Sequence, residues 1–315
     1  MQSKQKNMHC QQSLWEIPKT SLEEKINIGY KLLEQNLKKY NPSHTFCLFS
    51  GGHDSLIATH LTMSFFKSHP QYKQPSIVHI DTGIGIAETQ KYVKMICQTF
   101  EWHLKIYKAT ESVRADGSPD PQIYENLVKE RGFPGPQMHY KMYQRLKERQ
   151  IAIMVRQHKQ SFHDKIFLIS GIRKAESRRR KEKVLKEGAV FVDGARVWLK
   201  VIMDFSDEDS AQYMLMHDLP RNPVKDNLCM SGECLCGAFA QKNELEMIEF
   251  FYPKEGARIR QLEKEVAELG FPWGWDEAPP KGWNQKDDES RVQLTLDLDA
   301  AMPLCHSCHA KQENI

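Results

Sequence analysis

Apolar residues recur in two periods along this chain, and the two alternate. Leu22, Ile26, Ile28, Leu32, Leu33 and Leu37 follow helical spacing behind Thr20-Ser21 and the acidic pair Glu23-Glu24, and Asn41-Pro42 closes the run. This predicts a helix over 13–40. Thr45-Phe46-Cys47-Leu48-Phe49 is a short unbroken apolar run that ends in Ser50-Gly51-Gly52, as a buried strand entering a turn does. A helix is expected from Asp54 to about Lys67, a second strand over 76–80, a helix over 88–100 and a third strand over 102–107. Residues 121–131 and 137–158 read as helices separated by Gly132-Phe133-Pro134-Gly135-Pro136. Further strands are expected over 165–170 and 197–202, and a long charged helix over 241–269. Strands alternating with helices predict an α/β fold with a doubly wound, mostly parallel sheet.

Three parts are expected: an N-terminal helical segment (1–44), a strand-and-helix domain (45–220) and a cysteine-rich C-terminal helical region (221–315). The 315 residues suffice for one large core and a small second one. With 44 Lys and Arg against 41 Asp and Glu, charge alone does not point to nucleic acid. No apolar run is long enough to span a bilayer, and the N-terminus lacks the apolar stretch of a secretion signal. A cytoplasmic protein with reduced thiols is the expectation.

Chemistry concentrates where strands end. Ser50-Gly51-Gly52-His53-Asp54-Ser55 joins the first strand directly to a helix. Glycines there let a ligand approach the backbone, and free N–H groups at a helix start suit phosphate oxygens. Ser50 and Ser55 add hydroxyls, and Asp54 is placed to cap the helix or balance a cation. Asp81-Thr82-Gly83 ends the second strand, where ligand crevices of parallel sheets form. Gly171 ends a later strand and opens the basic run 173–186, whose Arg173 and Arg180 are candidates for phosphate contact.

These segments resemble, in order, the motifs of the PP-loop ATP pyrophosphatases and their relatives the PAPS (phosphoadenylyl sulfate) reductases, over about residues 45–205. Ser50–Ser55 is similar to the pyrophosphate-binding loop, with His53 where Lys is usual. Asp81-Thr82-Gly83 with Glu88-Thr89 is similar to Asp-Thr-Gly…Pro-Glu-Thr, with Ala87 for Pro. Gly132-Phe133-Pro134 and Leu146-Lys147 resemble Gly-Phe-Pro…Leu-Lys, and Gly171-x-Arg173 to Ser177-x-x-Arg180 resembles the segment whose arginines contact nucleotide phosphates. The resemblance implies an adenine nucleotide α-hydrolase-like fold. It also implies ATP with Mg²⁺, or PAPS or APS, bound by residues 50–55, 81–83, Gly171, Arg173 and Arg180, with Asp54 and Arg173 in catalytic roles. The activity it implies is adenylation with pyrophosphate release, with sulfur transfer to a nucleic-acid acceptor met by the basic run. The alternatives are a sulfonucleotide reductase producing sulfite and a nucleotide-binding accessory protein without turnover. A sulfur donor or redox protein is the further partner implied, and the looser resemblance is to reductase-like proteins of phages, mobile elements and CRISPR-associated or phosphorothioation systems.

Five of eight cysteines lie in the last 87 residues: Cys229, Cys234, Cys236, Cys305 and Cys308. Clustered thiols in polar, glycine-containing segments of a reduced protein point to a metal. Five thiols, flanked by His306 and His309, admit a four-thiolate [4Fe–4S] cluster or zinc. The family resemblance favours iron–sulfur. Cys10, Cys47 and Cys97 read as core or surface residues. The ending Cys-His-Ser-Cys-His differs from the Glu-Cys-Gly-x-His tail of the reductases, which counts against sulfite formation.

Overall fold

Ser21 begins the first helix by the reciprocal bonding its sequence allows. Its hydroxyl accepts from the Glu24 N–H while the Glu24 carboxylate accepts from the Ser21 N–H. Helix α1 then runs Leu22–Tyr40, and Asn41, in the left-handed conformation, ends it. The computed structural model describes residues 20–277 and 279–280. The first part of the helix expected over 13–40 lies outside them.

The chain continues through β1 (His44–Leu48), α2 (His53–Ser68), β2 (Ser76–Asp81), α3 (Ala87–Thr99), β3 (Leu104–Lys108) and α4 (Tyr124–Arg131). Helix α5 (His139–Tyr143) passes through a wider π-turn at 144–148 into α6 (Arg149–His158). Then come β4 (Ile166–Ile169), α7 (Arg178–Glu187), β5 (Val190–Asp193), β6 (Arg196–Leu199), α8 (Asp207–Met216), α9 (Pro223–Leu228), α10 (Glu244–Phe251) and α11 (Pro253–Glu268).

The six strands form one sheet in the order β3-β2-β1-β4-β6-β5, parallel except for the β5–β6 hairpin at one edge. Successive side chains of a strand face opposite ways. Cys47 of β1, with Phe49 after it, joins the core under α1, α2, α3 and α8, while Phe46 and Leu48 join the core under α6 and α7. Helices therefore cover both faces, as the alternating pattern predicts. Winding reverses between β1 and β4, which opens a crevice at their carboxyl ends.

A third core joins residues 84–146 to 224–275. Tyr124, Phe133 and Leu146 pack with Leu235, Ile259, Trp273 and Trp275. The single helix expected over 241–269 is two. Pro253 has no N–H to continue α10 and instead occupies the first turn of α11. Among the described residues no helix is long and apolar enough to cross a membrane.

Candidate functional site

A cavity of about 740 Å³ fills the β1/β4 crevice. Its floor is the turn between β1 and α2. Gly51 adopts φ +84°, and a Cβ there would stand 2.8 Å from Thr89 Cγ2, so glycine is required by conformation and by space. Gly52 caps α2 without a side-chain hydrogen bond, which leaves the first N–H groups of a 16-residue helix facing the crevice. The Ser55 hydroxyl donates to the Gly52 carbonyl at 2.8 Å and lies 3.1 Å from the Ser50 hydroxyl, fixing the turn. Gly52, His53, Asp54 and Ser55 all line the cavity.

Arg173 and Asp54 meet as a buried pair, Nε to Oδ1 2.8 Å, with side chains 5% and 9% exposed. Asp207 accepts from Nη2 at 2.8 Å, and the Phe205 carbonyl accepts from Nη1 at 3.3 Å. Burial works against the Arg173 charge, but Asp54 and Asp207 more than offset it and raise its pKa. The guanidinium is thus a fixed cation with three of its five N–H donors given to these partners. Gly171 permits this. A Cβ at that position would lie 2.5 Å from the Asp54 backbone, so the end of β4 can press against the start of α2 only as glycine. Arg180 also lines the cavity, buried and paired with Glu176, behind a helix start capped by Ser177.

His53 contributes no charge in this state. Burial, reinforced by Arg221 and Lys225, pushes its pKa down to about 4. Its Nε2 is buried without a hydrogen-bond partner among the described residues, as is the Ser170 hydroxyl at the end of β4. Both line the cavity. Of the residues expected at the site, Asp81, Thr82 and Gly83 stand apart from this lining. Asp81 accepts from the Gly83 N–H at 2.9 Å and from Gln90 at 3.0 Å, and Thr82 donates to the Glu233 carbonyl at 2.9 Å. Of the three, Thr82 ties directly to the far wall, while Asp81 braces the end of β2 against α3.

That far wall went unread in the sequence. Asp207, Met214, Leu215, Leu219, Arg221, Lys225, Ser231 and Glu233 all line the cavity. Asn222 donates to the Gly51 carbonyl at 3.0 Å, and Thr89 donates to the Ser231 carbonyl at 2.5 Å. Lys147, in the π-turn, pairs with Glu233 at 2.7 Å, with both side chains at most 3% exposed. The signals for this wall were present but local: Ser206-x-x-Asp209 is a capping box, and Asn222-Pro223 is a helix start. The basic run also divides. Arg173 and Arg180 turn inward, whereas Arg178 on α7 is exposed and paired with Glu182.

Cys234 and Cys236 border one small recess beside Trp275, and the exposed Cys229 is not part of it. Among the described residues no three His, Cys, Asp or Glu side chains are placed to hold a metal ion. Two thiolates do not by themselves hold a cluster. Cys305, Cys308 and Cys10 lie outside the described residues. Cys47 and Cys97 are buried in the core, and burial raises both thiols, Cys97 to about 12.

No curated protein matches the chain. Among solved structures it is similar to the PAPS reductase of Candida auris in its phosphate complex (11% identity, 67% of this chain and 92% of that one, TM-score 0.43). It is also similar to Candida glabrata FMN adenylyltransferase with FAD and inorganic pyrophosphate (13%, 69% and 65%, TM-score 0.44). A third likeness is to the U34-tRNA thiolase NcsA of Methanococcus maripaludis with its [4Fe-4S] cluster (14%, 84% and 87%, TM-score 0.37). Residues 44–234, more than half of the sequence, match the phosphoadenosine phosphosulfate reductase domain, and the chain belongs to that family, with its PP-loop nucleotide-binding fold.

Proposed function

We propose that the cavity binds ATP·Mg²⁺ and that the protein activates an acceptor by adenylation, releasing pyrophosphate. The observation that carries this reading is the uncapped start of α2, with residues 52–55 opening into a cavity whose other walls include apolar Leu48, Val78, Ile80 and Met214. Phosphate oxygens suit the N–H groups, and a purine suits the apolar lining. An acceptor oxygen attacks the α-phosphorus, the bond from that phosphorus to its bridging oxygen breaks, and pyrophosphate leaves. The turn at 50–55 holds the leaving group, and Arg173 keeps a fixed positive charge beside it. A sulfur nucleophile then displaces AMP from the activated acceptor. The exposed Arg178, Lys181 and Lys186 of α7 support a nucleic-acid acceptor.

The family name favours a second reading, reduction of a sulfonucleotide to sulfite. In either reading Cys234 and Cys236, which share a recess, are the described candidates to join Cys305 and Cys308 as thiolate ligands of a [4Fe–4S] cluster, with zinc the alternative. Cys229 is then the spare thiol. No step of the reaction above runs through that group.

The test is a product assay. Protein incubated with ATP·Mg²⁺, candidate acceptors and sulfide as the sulfur nucleophile should yield AMP and pyrophosphate in equal amounts. Sulfite from PAPS or APS with thioredoxin would replace this reading with the reductase. Tight ATP binding without either product would leave a binding module. Iron and sulfide content of anaerobically prepared protein decides the cofactor.

A further inference from the structure

His53 is the first residue of α2 and lines the cavity. Its Nε2 is buried without a hydrogen-bond partner among the described residues, and so is the hydroxyl of Ser170, a residue only 2% exposed. Buried polar atoms are nearly always satisfied, so two orphans on one cavity mark groups that await a ligand. Both sit where the proposed reading places nucleotide phosphate.

We infer that His53 is a phosphate-binding residue that takes up a proton from solvent as the nucleotide binds, so that the start of α2 gains a cationic side chain only when the site is occupied. This inference rests on the nucleotide reading above. The charges that face the ring are mixed. Asp54 lies on its own helix, and Arg221, Lys225 and Asp226 come from the segment at 221–226. Arg173, Glu176 and Arg180 lie across the cavity, with Asp207 and Asp218 along α8 and its end. The empty site holds the ring neutral, because burial and two nearby cations oppose its charge. A polyphosphate beside Nε2 reverses that balance, because an adjacent negative charge favours the imidazolium. One proton then adds to the free ring nitrogen, and no bond in the nucleotide is made or broken.

The sign follows from linkage. The bound state holds more protons than the free state, so affinity falls as pH rises between the free and bound pKa values of the ring, by up to tenfold per pH unit. A fixed ammonium needs no such proton. Calorimetry with ATP·Mg²⁺ in buffers of different ionisation heat, run on the wild type and on His53→Lys, counts the protons taken up. Any exchange by the nucleotide itself cancels in the difference. The wild type should take up more protons than His53→Lys, approaching one per nucleotide near pH 6. Its Kd should rise several-fold from pH 6 to pH 7, while that of His53→Lys changes less. Binding with equal proton counts in the two proteins would overturn the role of His53 and leave the nucleotide reading standing. Absence of ATP binding by the wild type would remove both. The wild-type pH profile of Kd stands without any variant. A Kd that does not rise with pH overturns the inference even if His53→Lys fails to fold.

Discussion

The two walls of the cavity are built by different means. One wall, residues 50–55 and 170–173, follows directly from the ends of β1 and β4, so sheet hydrogen bonding fixes its place. The other, residues 207–233, is two helices, α8 and α9, with the turn between them and an irregular strap after them, none of it positioned by a strand. It is tied across by individual side chains: Asn222 to the Gly51 carbonyl, Thr82 to the Glu233 carbonyl, Thr89 to the Ser231 carbonyl, and Lys147 to Glu233. The first wall carries the proposed phosphate contacts and shows as contiguous motifs. The second closes the site and depends on single contacts, each of which one substitution can remove.

The Lys147–Glu233 pair should be the most sensitive of these ties. Both groups are at most 3% exposed, and removing one partner strips a buried carboxylate of its cation. Lys147→Met should lower stability by about 3–5 kcal/mol in denaturant unfolding. Replacing both residues with apolar ones of similar size should recover much of that loss. A loss under about 1 kcal/mol would show that the strap is held elsewhere and that the two walls are not coupled through this pair.

Gly51 probes the place where the walls touch, since its carbonyl accepts from Asn222 and the space above its Cα is filled by Thr89. Gly51→Ala forces an L-residue to φ +84° and pushes Thr89, which itself donates to Ser231. About 1–2 kcal/mol of stability should be lost, with nucleotide affinity down tenfold or more. Wild-type affinity in this variant would separate the turn from phosphate binding.

What could be read beforehand follows the same division. The strands, the alternation of their faces and the turn between β1 and α2 were legible because a period of two, a period of 3.6 and a Gly-Gly turn are all local signals. Asp81 and Thr82 were legible as a motif but not as to role. Their partners, Gln90 and Glu233, include one more than 150 residues away, and nothing in a short window says that Thr82 bonds to the strap at Glu233. Helix α7 was hidden because its nearly unbroken run of charges carries little apolar periodicity, although Ser177 marks its cap. The break at Pro253 was written in the sequence and was overridden by a continuous charged pattern. Arg173 shows the limit most clearly. Its type and place predicted a phosphate contact, yet the structure gives its donors to Asp54, Asp207 and Phe205, and only the folded chain brings Asp207 to it.

Asp207 therefore offers the finest test of how the walls share one cation. Its side chain is 79% exposed, so its pair with the 5% exposed Arg173 is well screened on one side, and Asp207→Asn should change stability by less than about 1 kcal/mol. Binding should respond differently. A phosphate that approaches Arg173 meets two carboxylates engaged with the same guanidinium, one from each wall. Removing the charge of Asp207 leaves Asp54 to orient the arginine from its own wall and lessens the repulsion felt by the incoming anion. ATP should bind about three- to tenfold more tightly to Asp207→Asn, a difference of about 0.7–1.4 kcal/mol. Weaker binding would mean the opposite arrangement: the second wall aims Arg173 as well as closing over it, and the first wall cannot present its cation alone.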